Sequence, residues 1–355
     1  MSATQASRVT EQNADVIRSR SCPYCCVCGQ KGESLYENLS DRLFGAPGMW
    51  NLKRCPSRVC GVVWLDPMPV EEDIGKAYRS YYTHEADAHP ANNLARRLYS
   101  RIRAGYVRVK YGYRNDKRNR WDQLFALLAN LNPVRRASFD FGVFYLRFNP
   151  NGRFLELGCG SGLMLESMRD LGWRAEGIDF DASAVELTSK KNLVVHCGKL
   201  QDLEFADETF DAIAAIHFIE HVSDPLGVLR ECRRLLKPGG RLVLITPNAD
   251  SWGHRYYRAD WRGLEPPRHL HIFTPRSIAE LCRKTGFNYV VSRSTVRASG
   301  IHLASRALRR RGNCDSLRRV GWLTRAWDEL RCMFQWAGTF VDSDAGDEVL
   351  LIAGR

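Results

Sequence analysis

Phe154-Leu155-Glu156-Leu157-Gly158-Cys159-Gly160-Ser161-Gly162 is the stretch whose reading decides the fold. A mostly apolar run with strand character enters a turn with glycine at every second position, and a helical pattern begins near Leu163. Glycines let the backbone turn sharply and approach a ligand with no Cβ in the way, while the N-terminus of the following helix offers unpaired N–H groups. The expected ligand is nucleotide-like. Glycine-rich turns also occur in NAD sites and in plain tight turns, so other elements must decide between them.

The next acid at a strand end is Asp179, in Ala175-Glu176-Gly177-Ile178-Asp179, 17 residues after Gly162. A carboxylate there can accept from both hydroxyls of a ribose, and ligands of open α/β sheets bind at the carboxyl ends of strands. Asp179 could instead cap the following helix, a role for which Asp181 is the better candidate. Further on, short apolar runs alternate with helical stretches, as in βαβ units with a mainly parallel sheet. Strands are expected at 153–157, 175–179, 193–197, 211–216, 241–246, 288–293 and 348–353. An amphipathic helix is expected from Leu226 to Leu236, stopped by Lys237-Pro238-Gly239-Gly240.

Working towards the N-terminus, residues 71–150 carry apolar residues such as Leu94, Leu98, Ile102 and Tyr106 at helical spacing, which predicts a basic helical connector or lid. Residues 21–70 hold six of the twelve cysteines, Cys22, Cys25, Cys26, Cys28, Cys55 and Cys60. Cys25-x-x-Cys28 and Cys55-Pro56-Ser57-Arg58-Val59-Cys60 form two knuckles 26 residues apart, each followed by glycine, which suits a closed tetrahedral Zn²⁺ site built from Cys25, Cys28, Cys55 and Cys60. Cys22-x-x-Cys25 is also a knuckle, so Cys22 and Cys26 compete for the role, and unligated inert thiols are the alternative. Residues 1–20 read as a polar tail. No secretory signal and no membrane-spanning run is evident, so a cytoplasmic protein with reduced thiols is expected.

The 355 residues are 44% hydrophobic, enough for one large domain with accessories at 151–355 and before it. The net charge is +12, which would suit RNA, a phosphorylated glycan carrier or an anionic membrane surface. Ten Lys or Arg and one acid, Asp116, lie between Arg96 and Arg120, and Arg306, Arg309, Arg310 and Arg311 form a second cluster. Solvated helical faces would show the same runs.

Several motifs occur in order: Glu156-Leu157-Gly158-Cys159-Gly160-Ser161-Gly162, Asp179, Phe210-Asp211, Ile219-Glu220-His221-Val222, Leu236-Lys237-Pro238-Gly239-Gly240 and Thr246-Pro247-Asn248. This series resembles the class I S-adenosylmethionine-dependent methyltransferases. The resemblance implies a Rossmann-like seven-stranded α/β sheet at 151–355. It also implies that Glu156, Gly158, Gly160 and Gly162 hold the methionine end of S-adenosyl-L-methionine, Asp179 the ribose, and Gln201 and Asp202 the adenine edge, with His217 beside the sulfonium. NAD enzymes lack both the acid before the first glycine and the Lys-Pro-Gly-Gly turn. The segment is also similar to ubiquinone-pathway O-methyltransferases, whose Glu-x-x-Glu-His pattern has been treated as a metal site; His217 stands here at the first position.

Methyl transfer to a weakly acidic hydroxyl needs alignment and a base. His221 and His269 are the candidate bases, each with a structural role as its alternative. His269-Leu270-His271 could also ligate a metal. The loop at 252–273, with Trp252, Tyr256, Trp261, Arg268 and His269, is expected to offer aromatic faces and charge to a polar ring. The cysteine module before this fold is similar to zinc-ribbon methyltransferases of bacterial polysaccharide and natural-product pathways. That points to a small-molecule, sugar or carrier-linked glycan acceptor. The alternative is an rRNA or tRNA methyltransferase using the module and the basic surface for RNA, although no Asp-Pro-Pro-Tyr-like or Pro-Cys motif follows the relevant strands.

Overall fold

The computed structural model describes residues 16–79, 94–113, 121–297, 299–314 and 321–355. Most of the expected tail and the part of the basic run at 114–120 lie outside the described residues. Five short strands come first, β1 (Ser19–Arg20), β2 (Glu33–Leu39), β3 (Trp50–Arg54), β4 (Val63–Leu65) and β5 (Met68–Pro69). Three helices follow, α1 (Leu94–Tyr111), α2 (Asp122–Asn130) and α3 (Pro133–Phe141). Strands and helices then alternate through β6 (Arg153–Leu157), α4 (Leu163–Asp170), β7 (Arg174–Asp179), α5 (Ala182–Ser189), β8 (Val194–Cys197), β9 (Phe210–Ile216), α6 (Pro225–Leu235) and β10 (Leu236–Pro247). The chain closes with α7 (Trp252–Tyr257), β11 (His271–Ile272), α8 (Pro275–Lys284), β12 (Tyr289–Thr295), α9 (Ile301–Arg311), α10 (Trp322–Gly338) and β13 (Glu348–Gly354).

Seven strands form the expected Rossmann-like sheet in the order β12-β13-β10-β9-β6-β7-β8. The five from β8 to β10 are parallel, and β13 runs antiparallel to both β10 and β12. From β6 the chain moves outward through β7 to β8, then returns to the other side of β6 as β9. The crevice at a topological switch point therefore opens at the carboxyl ends of β6 and β9, where Gly158 and His217 begin their loops. The predicted stop at Lys237–Gly240 takes a different form. Leu236 already pairs with Phe210 and Arg241 with Ala212, so Pro238-Gly239-Gly240 forms an excursion inside one long strand, with Gly239 at φ +78°.

Both faces of the sheet are covered, which explains why β6, β9 and β10 read as nearly continuous apolar runs. On one face Tyr106, Phe139 and Phe144 of the helical segment pack on Phe154 and Val243. Asp140 fastens that segment by accepting from the hydroxyls of Tyr106 and Tyr111 at 2.7 and 2.8 Å and from Lys110 Nζ at 2.9 Å. The predicted apolar face of α1 is only half used. Tyr106 is buried, but Leu94 and Leu98 are exposed.

On the other face lies the cysteine-bearing segment, and its sheet has the order β11-β4-β3-β2. The edge strand β11 comes from about 200 residues further along the chain, with His271 opposite Trp64 and Ile272 opposite Val63. Trp50, Leu52, Val63 and Leu65 share one core with Leu155, Leu244, Ile272 and Phe273. Thr274 donates to the Cys60 carbonyl at 2.8 Å, and Arg54 pairs with Asp250.

Arg268 is the polar centre of this junction and is 1% exposed. Its guanidinium donates to both oxygens of Asp41 at 2.8 and 2.9 Å, to Glu265 Oε1 at 2.9 Å and to the Ala77 carbonyl at 3.0 Å, and it lies over the Phe44 ring. Burial pushes the Asp41 carboxyl up, but Arg268 and the amides of Ala46 and Leu43 outweigh it and hold it below its ordinary value. Removing the cation would leave the buried Asp41 carboxylate without its countercharge and Glu265 with Arg262 alone, a change that typically costs about 3–5 kcal/mol. Arg268→Ala should therefore lower the unfolding free energy by about 3–5 kcal/mol in urea titration, and limited proteolysis should cut first between residues 21 and 79. A loss below about 1 kcal/mol would show that the junction does not rest on this cation.

Candidate functional site

The glycine turn is shaped by close approaches on two sides. Gly158, Gly160 and Gly162 all have positive φ, at 71°, 49° and 73°. A Cβ on Gly158 would meet the Phe218 ring at 2.9 Å, and one on Gly162 would meet Leu193 and Thr188 at 2.7 and 2.8 Å. Gly160 faces open space, so the turn leaves its middle residue accessible to a ligand. Asp179 ends β7 directly beside it. One Asp179 oxygen accepts from the Gly160 N–H at 2.8 Å, and the other accepts from the Asp181 N–H at 3.0 Å. Asp181 caps α5, as expected, by accepting from Ser183 N–H.

Glu156 lies beneath this loop, 4% exposed, and its Oε2 has no hydrogen-bond partner among the described residues. Burial first, and the Asp179 charge second, push its carboxyl up to about 8. An unpaired buried carboxylate next to a second acid is costly by itself. It suits a ligand that brings a cation. Gln201 and Asp202 are exposed on a short 3-10 turn, Leu200–Asp202, just past β8, whose Cys197 pairs with Asp179.

At the carboxyl ends of β9 and β10 the structure gathers the histidines around a cavity of about 620 Å³, lined by His217, His221 and His269 together with Arg262, Arg297 and Glu348. Such a volume fits a small-molecule site. His217 leaves β9 at φ +48°, a strained angle for this residue. Its Nδ1 faces Glu220 Oε1 at 3.3 Å and its Nε2 faces Glu348 Oε1 at 3.2 Å. Burial opposes the imidazolium, but the two carboxylates outweigh it and raise the ring to about 9. Both ring nitrogens therefore carry hydrogen at neutral pH. Glu348 also accepts from Arg297 twice, at 2.6 Å each.

His221 and His269 have the opposite character. Burial holds both below the ordinary imidazole value, so they are neutral. His221 Nδ1 lies 3.0 Å from the Arg268 carbonyl and His269 Nδ1 lies 2.7 Å from the Gly263 carbonyl. A carbonyl only accepts, so each Nδ1 must carry the hydrogen and each Nε2 is left with its lone pair. The two rings meet edge to face at 4.7 Å. Glu220 is fully buried with Oε2 unpartnered among the described residues, and one donor atom from each of Glu220, His221 and His269 lies within 4.8 Å of the others. Two neutral imidazoles and a carboxylate arranged in this way can exchange a proton with a bound acceptor, or they can share a divalent cation.

Other expectations on the 252–273 loop are corrected by burial. Arg268 serves the junction with Asp41 and does not line the cavity. Trp261 and Tyr257 are buried, His254 stacks on Trp261 and accepts from Tyr36, and His271 stacks on Phe273 in β11. The buried rings fill the space between the loop and the cysteine-bearing segment, whereas Trp252 and Tyr256 are exposed away from the cavity, so among the described residues no Phe, Tyr or Trp lines it and His269-Leu270-His271 does not converge on one point. Sequence reasoning missed Tyr78, whose hydroxyl sits 2.9 Å from His221 Nδ1, and Arg297 and Glu348, which arrive from the far end of the chain. None of the three lies in a motif.

The predicted cysteines do converge. Cys25 and Cys60 sulfurs lie 3.6 Å apart and those of Cys28 and Cys55 lie 3.3 Å apart, with all four Sγ within 4.8 Å of one another. Tetrahedral thiolates around zinc, at about 2.3 Å from the ion, stand about 3.8 Å apart. Cys22 and Cys26 are not in this group.

Residues 118–292 match the model of a family described as a methyltransferase domain. The chain is 30% identical over 185 residues to a ubiquinone biosynthesis O-methyltransferase of Neisseria meningitidis serogroup C (strain 053442), a match covering 47% of this chain and 76% of that protein. It is 38% identical over 145 residues to the protein of the same name from Xanthomonas oryzae pv. oryzae (strain PXO99A), covering 37% and 57%. The seven-stranded sheet, the acid-headed glycine turn and these relatives together place the chain in the class I S-adenosylmethionine-dependent methyltransferases.

Proposed function

We propose that this enzyme moves the methyl group of S-adenosyl-L-methionine to a hydroxyl of a small molecule, a sugar or a carrier-linked glycan. The observation that carries the reading is the pair of neutral imidazoles among the cavity-lining residues, His221 and His269, each bound through Nδ1 to a backbone carbonyl. S-adenosyl-L-methionine, held by Glu156 and the glycine turn, would supply the methyl group to the acceptor oxygen, and the acceptor's hydroxyl proton would pass to Nε2 of His221 or His269. A cavity lined by Arg262, Arg297 and Arg325 with Glu265 and Glu348 supplies donors and acceptors for a hydroxyl-rich molecule. The named activity of the Neisseria and Xanthomonas relatives, O-methylation, agrees with a hydroxyl acceptor.

His221→Ala or His269→Ala should lower kcat by about 10²-fold with the methyl-donor affinity unchanged, as for loss of a general base. Radiolabelled S-adenosylmethionine and fractionated cell extract would provide the acceptor, with label expected in small molecules or lipid-linked glycan. Label in RNA would instead favour the RNA methyltransferase reading. A chelator separates the two chemistries open to the Glu220, His221 and His269 set. Activity that survives chelation assigns proton transfer, whereas activity lost and then restored by Mg²⁺ assigns them to a cation that would polarise the acceptor hydroxyl.

For the cofactor, we propose that Glu156 and the turn at Gly158, Gly160 and Gly162 take the methionine end. Asp179 would then take the ribose, Gln201 and Asp202 the adenine edge, and His217 the neighbourhood of the sulfonium. With its carboxyl raised to about 8, Glu156 is mostly protonated in the free protein at pH 7 and must ionise to receive an ammonium group. Cofactor binding at pH 7 should therefore release about one proton per chain, read by calorimetry in buffers of different ionisation enthalpy, and the release should fade as pH rises above about 8. Glu156→Gln should abolish it. Proton release that persists in that variant would move the titrating group elsewhere.

We propose further that 21–70 is a zinc-binding module, 71–150 a helical connector and 151–355 the methyltransferase domain, with structural Zn²⁺ on Cys25, Cys28, Cys55 and Cys60. Elemental analysis should give about one zinc per chain. Cys55→Ser should lose the metal and open residues 21–70 to protease, because ligation in such small folds contributes on the order of 10 kcal/mol. Full zinc in that variant would transfer the role to Cys22 or Cys26.

A further inference from the structure

The acceptor cavity is lined by the three arginines Arg262, Arg297 and Arg325 but by only the two carboxylates Glu265 and Glu348, and its ion pairs do not balance. Arg262 pairs with Glu265 and lies over the Phe44 ring. Arg297 donates to both oxygens of Glu348 at 2.6 Å each and lies over the Phe141 ring at 3.9 Å. Those two cations are committed to the wall itself. Arg325 is exposed, and its guanidinium makes no ion pair or hydrogen bond among the described residues. Its backbone is fixed, because it stands near the start of α10 and its N–H donates to the Gly321 carbonyl at 3.2 Å.

Carboxylates on the neighbouring elements are occupied elsewhere. On α10 itself Asp328 is buried, and Glu329 is held by Arg135 at 2.6 Å and Asn132 at 2.8 Å. Helix α9 has no acid, and Asp347, just before β13, faces His302 at 2.9 Å. Glu85, Asp87, Asp116 and Asp315 lie outside the described residues. The cavity is also bordered by the start of α9, through Ser299, Gly300, Ile301 and Leu303. Gly300 precedes the helix at φ +76° with no side chain to cap it, and the N–H groups of Ile301, His302 and Leu303 have no backbone acceptor among the described residues. A planar guanidinium without a countercharge matches a carboxylate or phosphate through paired hydrogen bonds, and the unpaired amides favour the same charge. A cationic acceptor would meet Arg325 unopposed, and a neutral one would leave its charge without a partner.

We propose that the acceptor carries an oxyanion, a carboxylate or a phosphate, which Arg325 and the first turn of α9 hold while a hydroxyl of the same molecule is methylated. The proposal rests on the reading of this cavity as a site of hydroxyl methylation and adds to it the charge of the molecule that enters. The test starts from extract labelled with the full chain and radiolabelled S-adenosylmethionine. The labelled product should be retained on an anion exchanger at pH 8. Phosphatase releases it if the group is a phosphate, and elution at pH 2 without phosphatase marks a carboxylate. With the purified acceptor, Arg325→Ala should raise KM by about ten- to a hundredfold and leave kcat within about twofold, and Arg325→Lys should recover part of the loss. A labelled small product that flows through the exchanger, or an unchanged KM in Arg325→Ala, overturns the proposal and leaves hydroxyl methylation standing. Label in RNA, or no label, counts against the methylation reading, and the anion site is then decided by melting temperature. Inorganic phosphate or benzoate, against sodium chloride of equal ionic strength, should raise the melting temperature of the wild type by about 1–3 °C more than that of Arg325→Ala. Equal shifts in the two proteins overturn it.

Discussion

The buried guanidinium of Arg268 is the interaction on which the rest of the site depends. It ties Asp41 from the cysteine-bearing segment, the carbonyl of Ala77 at the end of the following 3-10 helix, and Glu265 of the loop after β10. Its own main-chain carbonyl meets His221 Nδ1. One residue therefore holds three separate stretches of chain by its side chain and orients a cavity histidine by its backbone. An isolated ion pair at the surface would contribute little to such an arrangement. Here the charges are excluded from water and nearly all their hydrogen-bonding capacity is used, so the geometry is sharply defined.

The two ends of the cavity are held by contrasting electrostatics. His217 is an imidazolium enclosed by Glu220 and Glu348, and Arg297 shares Glu348 with it. His221 and His269, a few ångströms away, are kept neutral by burial. Environments that push like groups in opposite directions within one cavity are what separate a fixed charge from a proton acceptor. The fixed charge also closes the fold, because Glu348 starts β13, the strand that joins β10 to β12.

The sheet was readable from the sequence because its strands are buried on both faces and separated by glycine, proline and acid punctuation; β6 falls on its expected residues and the others lie within a few positions. The glycine turn, Asp179 and the four cysteines were readable for a related reason, since each depends on local spacing. Contacts over long sequence separation left no such trace. Nothing in Tyr78, Arg297 or Glu348 announces that the chain brings them to His221 and His217. The aromatic residues at 252–261 were misread for a similar reason. Composition cannot tell a ring that greets a ligand from one that seals an internal junction or faces solvent: Trp261 is sealed in, and Trp252 and Tyr256 are exposed away from the cavity.

The pairing of β4 with β11 has a consequence for how such an enzyme can diversify. The strand that completes the cysteine-bearing sheet immediately follows Arg268 and His269, so that sheet and the 252–273 loop form one structural unit. Exchanging residues 21–70 alone between relatives would leave a foreign β4 against the resident β11 and a foreign partner opposite Arg268. Recombination that respects the structure has to transplant the loop with the cysteine-bearing sheet, which ties changes in one to changes in the other.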